Sequence, residues 1–412
     1  MGAGRTRDIV EKAEQDPGQS PEDPPAGPSR RSVLRAAAVT GSTIVVAGTG
    51  ALGYRVFDQA VLDPDRGHAF DPWPERRDAD GPLGAVAAAI LAANPHNSQP
   101  WAFHIADTSI DVYADRSRHT GILDTLGREL HVGLGCAVEN LVIAARARGL
   151  APTVTLLPSG PGSDLVAHVA LDPVAPEPSA LDEAIDDRHT NRGPFKTMNV
   201  PAGVLADLVD ATGLPGVRVH WVTDDTEKAA LGRLMVDAAV AVTGDDQQSR
   251  DSFAWFRSSN DAIQRHRDGL TLDGQGLSPL MLTLAKLLPA SSRAAGDKFW
   301  VNQTRDVHTK TAAAYGVITV TDPYDVTAQL VGGRLLQRIH LTATSHGIAL
   351  HHMNQITERI DRERTIATQP TFAPRFARLL PTGVHPLVSF RIGYPVRDAR
   401  LSPRRPLAAV TR

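Results

Sequence analysis

The sequence is poor in cysteine and carries little net charge, and both features exclude classes of protein. Cys136 is the single cysteine among 412 residues, so neither an intrachain disulfide nor a multi-cysteine metal site can form. The formal net charge is -3, which provides no general electrostatic basis for nucleic-acid binding. The nucleophile motif G-x-S-x-G and the zinc motif H-E-x-x-H are absent too. The chemistry of this chain therefore has to be sought in other polar motifs.

What is present is typical of a folded protein with more than one structural unit. Hydrophobic residues make up 42% and charged residues 22% of the chain, which favours a globular body. A chain of 412 residues is long for a single core and predicts roughly two units.

The N-terminal residues have the composition of a leader. Residues 1–28 are rich in proline, glycine and acidic residues and are expected to be disordered. Residues 29–35, Ser-Arg-Arg-Ser-Val-Leu-Arg, precede an uncharged run over 36–53, and together they resemble a twin-arginine export signal. Residues 29–53 would then be a signal or a membrane anchor, and the protein would be extracytoplasmic or membrane-anchored. The alternative is that the leader is not used and the protein is cytoplasmic.

A dinucleotide-binding motif overlaps this leader but lacks its structural context. Residues 48–53 match G-x-G-x-x-G after an apolar run. The motif requires a following crossover helix and a second strand. Instead, residues 63–68 and 71–74 are rich in Pro, Asp and Gly, which is typical of loops. We therefore assign residues 54–79 to a linker.

From residue 80 onward the pattern alternates between strands and helices. We expect a first unit over 80–178 and a second over 179–412, with a polar insertion at 245–310 that could form a lid. Strands are predicted at 102–106, 109–114, 152–157, 165–171, 216–222, 315–321 and 385–392, and helices at 82–93, 127–148, 201–211, 226–243 and 326–346.

Two long helices indicate that the units are related. Residues 135–149 align without gaps on 333–347, so that Gly135 matches Gly333 and Gly149 matches Gly347. Between residues 132 and 145 the only charged side chain is Glu139, which predicts a helix buried nearly all round. The sequence thus predicts an α+β fold of two related units in tandem, each a mainly antiparallel sheet flanked by helices. The units would pack as a pseudo-dimer around the central apolar helices.

One loop combines polar side chains with an aromatic wall. Residues 96–101 read His-Asn-Ser-Gln-Pro-Trp, and this mixture suits a planar ligand with heteroatoms along its edge. An ordinary turn with a buried Trp101 is the alternative interpretation. We regard Trp101 as an anchor that holds the loop on the core.

A basic cluster about 90 residues downstream could bind a phosphate. Arg188 and Arg192 flank Thr190, and two guanidinium groups with a hydroxyl between them can surround a phosphate group. The alternative is a solvated turn in which Asp186 and Asp187 pair with the arginines. Arg404-Arg405, near the C-terminus, could add positive charge or belong to a simple tail.

These motifs resemble those of the FMN-binding nitroreductase family. Residues 188–192 are similar to its R-R/H-S/T-x-R/K motif, residues 93–101 to its A-P-S-x-x-N-x-Q-P-W loop, and residues 389–395 to its closing strand. The length and the order of the motifs point to the Acg-like branch. The resemblance implies that FMN is the cofactor. It implies contacts with the ring edge from Asn94, Pro95, His96, Asn97 and Gln99, and with the phosphate from Arg188, Thr190, Arg192, Arg404 and Arg405.

The motif order implies one flavin site per chain. In the family, one subunit contributes the basic motif and the other contributes the N-x-Q-P-W loop. Here the loop lies in the first unit and the basic motif in the second, and residues 75–78 are only a weak remnant of a first-unit basic motif. We therefore expect one FMN per chain and a monomer that acts as an intrachain pseudo-dimer.

The resemblance implies an oxidoreductase with ping-pong transfer of two electrons. The partners would be small molecules: NAD(P)H or another donor, and a nitro, quinone or similar acceptor. No catalytic side chain is required, since the flavin carries the chemistry. The alternatives are a flavin-binding or flavin-sequestering protein with little turnover and a structural envelope protein. His351 and His352 are adjacent and point to opposite faces of a strand, so we expect no metal site.

Overall fold

Two four-stranded antiparallel sheets organise the described part of the chain. The computed structural model describes residues 59–61, 64–210 and 213–412. The predicted leader segments, 1–28 and 29–53, lie outside the described residues. The first sheet has the order β1-β2-β4-β3 and the second the order β5-β8-β10-β9. Their strands are β1 Trp101–Ala106, β2 Ser109–Ala114, β3 Leu150–Leu156, β4 Leu165–Pro173, β5 Arg218–Val222, β8 Ala314–Val320, β9 Ala349–His352 and β10 His385–Gly393.

The first sheet begins with the predicted hairpin. Trp101 pairs with Ala114 and Ala106 with Ser109, so the turn lies at Asp107-Thr108. The alternation of buried and partly exposed positions along β2 follows from the two-residue period of a strand. Strand positions were therefore predictable from local sequence.

Helices cover the sheets and fill the space between them. The helices that surround the sheets are α1 Pro72–Glu75, α2 Gly81–Ala89, α3 Arg128–Ala147, α4 Ala180–Asp187, α5 Ala202–Asp210, α6 Asp225–Gly244, α11 Val326–Ser345, α12 Gln355–Thr365 and α13 Phe372–Ala377. The sequence did not predict the four-residue helix α1, which lies in the segment assigned to the linker, or the helices α12 and α13. Within that segment, Ala69, Phe70 and Trp73 are buried in the main hydrophobic core.

The two central helices, α3 and α11, cross at a pair of glycines. A Cβ placed on Gly135 would lie 2.1 Å from the carbonyl oxygen of Leu330, and one on Gly333 would lie 2.1 Å from that of Val132. The two contacts are reciprocal, as in an interface between two identical subunits. Glycine permits this close approach of two helix backbones because it has no Cβ. The expected packing around two central helices is confirmed.

Glu139 connects the same two helices. This carboxylate is fully buried and forms ion pairs with Arg334 and Arg338 of α11. The length and composition of α3 would suffice to cross a membrane, but the helix is largely buried inside the protein. It is a core helix here, as its sequence predicted.

The insertion is more regular than its polar sequence suggested. Residues 245–310 contain the helices α7 Asp246–Ala254, α8 Asn260–His266, α9 Pro279–Leu287 and α10 Arg293–Gln303, the short strands β6 Phe256–Arg257 and β7 Leu270–Thr271, and a π-helix at Thr304–His308. Side-chain caps mark several of these helices, since Asp245, Ser259, Ser278 and Ser292 each accept a bond from a first-turn amide. The polar composition predicted a lid here, whereas these caps start four regular helices.

Candidate functional site

The loop at residues 94–99 adopts a backbone conformation that is unusual for its residue types. His96, Asn97 and Gln99 have φ values of 48°, 54° and 54°. The left-handed region is costly for residues with a Cβ, although asparagine tolerates it better than most. Such clusters persist only where the surrounding structure holds them, and they are concentrated at functional sites.

Contacts from three other parts of the chain hold this loop. The Gln99 amide accepts from the backbone N–H of Arg405 at 2.8 Å and donates to the carbonyl of Arg267 at 2.9 Å. Asn97 donates to the carbonyls of Pro403 and Gly269. Trp101 is fully buried and anchors the loop to the core. The loop is therefore joined to both the C-terminal segment and the insertion.

The basic cluster follows α4 and runs beside β9. Asn191 donates its N–H to the carbonyl of Leu350 at 3.0 Å, and Thr190 forms a bridge with the same residue. Arg188 is 2% exposed and donates to the Leu91 carbonyl at 3.0 Å. The cluster is thus not a solvated turn. Asp186, which could have neutralised it, pairs instead with Arg76 and Arg77.

The two motifs meet at one cavity. It is bounded by the loop after α2, the basic cluster, the C-terminal segment, and a strip of the insertion at residues 269–274. The lining residues are Ala93, Asn94, Asn97, Arg188, His189, Thr190, Arg192, Gly269, Leu270, Thr271, Gly274, Arg400, Leu401, Ser402 and Arg404. Six of the ten predicted site residues are among them: Asn94, Asn97, Arg188, Thr190, Arg192 and Arg404.

The other four predicted site residues lie beside the cavity. His96 bonds to the Ser252 hydroxyl at 3.0 Å, and Pro95 packs near Gly133 of α3. Gln99 holds the loop through the bonds described above. Arg405 lies near Asp115 at 3.8 Å and donates to the Ala409 carbonyl. These contacts tie the four residues to α3, the insertion and the C-terminal segment, so they hold the wall in place.

The cavity is strongly cationic. Within the described part of the chain, Arg188, Arg192 and Arg404 form no ion pair with a carboxylate, and their hydrogen bonds go to neutral groups. Burial lowers the pKa of Arg188 and of Arg192 to about 10. Burial and the nearby Arg188 hold the pKa of Arg404 well below its usual range. Unpaired buried charge is costly, so the cavity favours an anion.

Histidines beside the cavity are held neutral. Burial, followed by the charge of Arg192, lowers the pKa of His96 to about 4. Burial, with Arg188 and Arg404 nearby, lowers that of His189 to about 3. Neutral imidazoles can still donate or accept hydrogen bonds, so they complete a polar wall without adding charge.

Three residues that line the cavity also have unpaired polar atoms. In the part of the chain that the structure describes, the Nε atoms of Arg188 and Arg404 and the Nδ1 atom of His189 are buried without a hydrogen-bond partner. Buried donors normally have partners. A phosphate group offers several strong acceptor oxygens and a charge of the required sign, so the residues present fit the phosphate of FMN.

The remnant of a basic motif at residues 75–78 in the first unit has a compensated charge, unlike the basic cluster at the cavity. Arg76 is buried, but it pairs with Asp182 at 2.9 Å and with Asp186 at 2.6 Å. Its charge is already compensated. Among the described residues, Arg188, Arg192 and Arg404 therefore differ from Arg76 in having no carboxylate partner, whereas Arg400, which also lines the cavity, pairs with Asp65.

Trp73 was missed by sequence reasoning. Its ring lies 4.6 Å from that of His189, edge to face, and 5.1 Å from the Arg404 guanidinium. Its indole N–H donates to the Ser402 carbonyl at 2.8 Å. The tryptophan stood in a proline-rich segment that we assigned to a linker, and a large aromatic residue between two prolines was the only signal available.

The insertion strip was predicted only as a general lid. Arg192 donates to the Gly274 carbonyl at 3.2 Å, and Asn97 bonds to Gly269. Gly276, with a φ of +67°, lies against the backbone of Gly193, and a Cβ there would be 2.2 Å from the Gly193 nitrogen. Only glycine permits this approach at that conformation.

The chain is similar to a mycobacterial protein over most of its length. The sequence is 26% identical over 351 residues to Rv3131 of Mycobacterium tuberculosis, provisionally named an NAD(P)H nitroreductase, covering 81% of this chain and 91% of that protein. A second mycobacterial protein, acg, has the same provisional name. It is 29% identical over 158 residues, which cover 36% of this chain and 47% of acg. No family model matches the sequence.

Solved structures are similar only in part. A nitroreductase with bound FMN from Desulfitobacterium hafniense has a TM-score of 0.34 at 17% identity, covering 56% of this chain and 95% of that one. A nitroreductase with bound FMN from Bacteroides fragilis has a TM-score of 0.32 at 14% identity, with 56% and 95% covered.

Proposed function

We propose that this chain is an FMN-dependent oxidoreductase of the nitroreductase type. The observation that carries the proposal is the meeting of the two predicted motifs at one cavity, where Arg188, Arg192 and Arg404 have no carboxylate partner among the described residues. The similarity to Rv3131, which covers most of both chains, supports the same class. When bound, FMN would supply two-electron transfer between a donor such as NAD(P)H and a nitro, quinone or similar acceptor.

The residues of the chain divide into binding and supporting roles. Arg188, Thr190 and Arg192 would hold the phosphate, with Arg404 adding charge from the C-terminal segment. Asn94 and Asn97 would face the ring edge from the opposite wall. Pro95, His96, Gln99 and Arg405 would keep that wall in place through their contacts with the core, the insertion and the C-terminal segment. No side chain needs to act as a nucleophile.

Flavin stoichiometry tests the proposal. Purified protein should be yellow with an FMN spectrum, and titration should saturate at one FMN per polypeptide. A single site is expected because the Arg76 remnant is neutralised by Asp182 and Asp186. Two bound FMN per chain would contradict the single-site part, and a protein that binds no FMN would contradict the whole proposal.

A second function, flavin sequestration with little turnover, is favoured by the insertion strip. Residues 269–274 form one wall of the cavity and bond to Asn97 and Arg192, which would limit access by a donor. Steady-state reduction of the bound flavin by NAD(P)H, followed by reoxidation by a quinone or nitro compound, selects the enzyme. A bound flavin that neither donor nor acceptor reaches selects sequestration.

The same proposal includes an origin by tandem duplication and a monomeric pseudo-dimer. The reciprocal crossing of α3 and α11 at Gly135 and Gly333 supports it. Sedimentation of the FMN-loaded protein should give the mass of one chain. A stable dimer would contradict the monomeric part.

We also propose export through the twin-arginine route, from the sequence of residues 29–53 alone. A tagged full-length protein should fractionate outside the cytoplasm or with the membrane, and the double substitution Arg30→Lys/Arg31→Lys should return it to the cytoplasm. The same distribution for both proteins would favour the cytoplasmic alternative.

A further inference from the structure

A fourth buried arginine lies behind the basic cluster, outside the predicted site. Arg391, on β10, is fully buried. Its Nε donates to His351 Nδ1 at 3.1 Å, and its Nη1 donates to the Thr311 hydroxyl at 3.0 Å and to the His308 carbonyl at 3.3 Å. Within the described residues it has no carboxylate partner.

The remaining guanidinium nitrogen of Arg391 holds the backbone of the basic cluster. Nη2 donates to the Gly193 carbonyl at 2.7 Å and to the Asn191 carbonyl at 3.4 Å. The guanidinium also stacks on Phe195, 4.1 Å from the ring centroid. Arg391 therefore engages the carbonyls on both sides of Arg192, and all of its hydrogen-bond acceptors are neutral.

Two histidines beside Arg391 complete this arrangement. The His308 and His351 rings meet edge to face at 4.6 Å, and His308 is the last residue of the π-helix Thr304–His308. Burial, followed by the charge of Arg391, lowers the pKa of His308. Burial, followed by His308 and then Arg391, lowers that of His351. His351 can accept through Nδ1 only as a neutral imidazole, so this wall adds no negative charge to compensate the guanidinium.

The stability of the fold does not explain why an arginine is buried at this position. Burying a guanidinium without a carboxylate costs free energy, and apolar side chains of similar volume commonly replace buried charges without loss of stability. A charge held behind Arg192, by contrast, adds to the positive potential at the cavity and strengthens anion binding in a medium of low dielectric constant. The five N–H donors in a fixed fork can hold several carbonyls at once, which an ammonium group cannot.

We infer that Arg391 is a positioning residue of the anion site. Its hydrogen bonds to the carbonyls of Asn191 and Gly193 fix the backbone on both sides of Arg192, so that the Arg192 side chain is directed to the cavity. Its guanidinium also adds an uncompensated positive charge behind the position of the phosphate. The ligand class is a phosphate monoester. This inference rests on the proposed flavin site, but it concerns a residue that does not line the cavity.

Comparing FMN with riboflavin tests this role, because the two ligands differ only in the phosphate. In Arg391→Met, the dissociation constant for FMN should rise about 10-fold or more, the size expected for the loss of one charge-assisted contribution. The dissociation constant for riboflavin should change by less than about 2-fold. A general structural defect would weaken both ligands alike, so the ratio of the two constants isolates the phosphate site.

Two further variants separate charge from geometry. Arg391→Lys keeps the charge but loses the fork, and it should restore part of the FMN-to-riboflavin preference. Thr311→Val removes one acceptor of the guanidinium while leaving the charge in place, and it should lower the preference by a smaller factor. Arg359→Met is the matched control, because Arg359 is a partly buried arginine bound to Asp245 and Gln248 and should leave the preference unchanged.

The outcomes distinguish this inference from the function itself. If the unsubstituted protein binds neither flavin, the proposed function fails. If it prefers FMN over riboflavin and Arg391→Met keeps that preference, the role of Arg391 is overturned. Should Arg391→Met lack a cooperative thermal transition, Arg391→Lys and Thr311→Val decide: a preference unchanged in both overturns the inference, and a reduced preference in both supports it.

Discussion

Arg76 and Arg188 illustrate at the residue scale how similar burial can have different consequences. Both side chains are nearly inaccessible. Arg76 binds the carboxylates of Asp182 and Asp186, whereas Arg188 donates to a backbone carbonyl and lies near a neutral histidine. A compensated cation has no further need of an anion, while an uncompensated one stabilises any anion that reaches it. The chemistry of the cavity therefore depends on which aspartates are absent from it.

The double substitution Arg188→Met/Arg192→Met tests this view. FMN affinity should fall at least about 100-fold, since two charge-assisted contacts worth about 1.5–3 kcal/mol each are removed. Thermal denaturation of the ligand-free protein should show no loss of stability, because no carboxylate is left unpaired.

Arg76→Met is the matched control for that experiment. It should lower thermal stability, because it leaves Asp182 and Asp186 without their buried partner, and it should leave FMN affinity nearly unchanged. A ligand-free double variant that is strongly destabilised would show that Arg188 and Arg192 have a mainly structural role.

At the scale of elements, the crossing of α3 and α11 decides how the two sheets are placed. Gly135 and Gly333 bring the helix backbones together, so that each Cβ position is blocked by a carbonyl of the other helix. Polar contacts lie along the same interface, including Gln337 with Asn140 at 2.7 Å. Arg188 reaches the end of α2 and the side of α11 near His340. A shift of this interface therefore also moves one wall of the cavity.

Gly135→Ala should be strongly destabilising. The new methyl group meets a backbone carbonyl that cannot rotate away, so the helices must separate, at a cost of about 1–3 kcal/mol or more. Gly333→Ala should have a similar effect, and the double variant should be less destabilised than the sum, because one separation of the two helices relieves both clashes. Urea denaturation measures all three free energies of unfolding.

Gly203→Ala in α5 serves as the control for helical glycine. Its Cβ would meet nothing within 4 Å, so the substitution should be neutral or slightly stabilising. Additive effects of Gly135→Ala and Gly333→Ala would show that the two clashes are relieved independently and not by one separation of the helices.

At the scale of the whole molecule, buried carboxyl groups and buried histidines give folding stability opposite dependences on pH. Burial raises the pKa of Asp124 to about 7 and that of Glu358 to about 8, and holds the pKa of Glu129 well above its usual range. These carboxyl groups lie where the start of α3 meets α12. Burial lowers the pKa of His189 and of His352 to about 3. The folded protein thus favours neutral forms in both regions.

The two sets predict a maximum of stability in mildly acidic solution. The folded state binds protons on Asp124 and Glu358 more tightly than the unfolded chain does, so stability falls as pH rises from about 4, the pKa range of the unfolded carboxyl groups, up to about 7 to 8. The buried histidines bind protons less tightly than in the unfolded chain, so stability also falls as pH drops below about 6.5. Urea denaturation of ligand-free protein should give the largest free energy of unfolding between about pH 4 and 6.5, since the carboxyl groups lower stability above this window and the histidines below it.

The variant Glu358→Gln tests whether this carboxyl group causes the loss of stability as pH rises. This variant should be more stable than the unsubstituted protein at pH 9 and nearly equal to it at pH 5, because glutamine needs no proton to stay neutral. Glu177→Gln, at an exposed position paired with Arg146, is the control. Equal slopes for Glu358→Gln and the unsubstituted protein between pH 6 and 9 would exclude this carboxyl group as the cause.

Much of the fold and part of the site could be predicted from local sequence. The apolar run of α3 and the alternation in β2 depend on residues close together in the chain, so their periodicity revealed them. Short motifs located Asn94, Asn97, Arg188 and Arg192, which all line the cavity. The helix caps at Ser259 and Ser278 are local signals too, but a capping serine does not stand out in a segment that is polar throughout.

The sequence by itself determined which segments form helices and strands and which residues carry charge. Only the tertiary structure decided which of those charges remain uncompensated. Asp186 is two residues from Arg188, yet α4 directs it to Arg76 and Arg77. Arg391 reaches the basic cluster from about 200 residues away in the chain. Electrostatic compensation depends on distances in space and on burial, and neither can be read from separation along the chain.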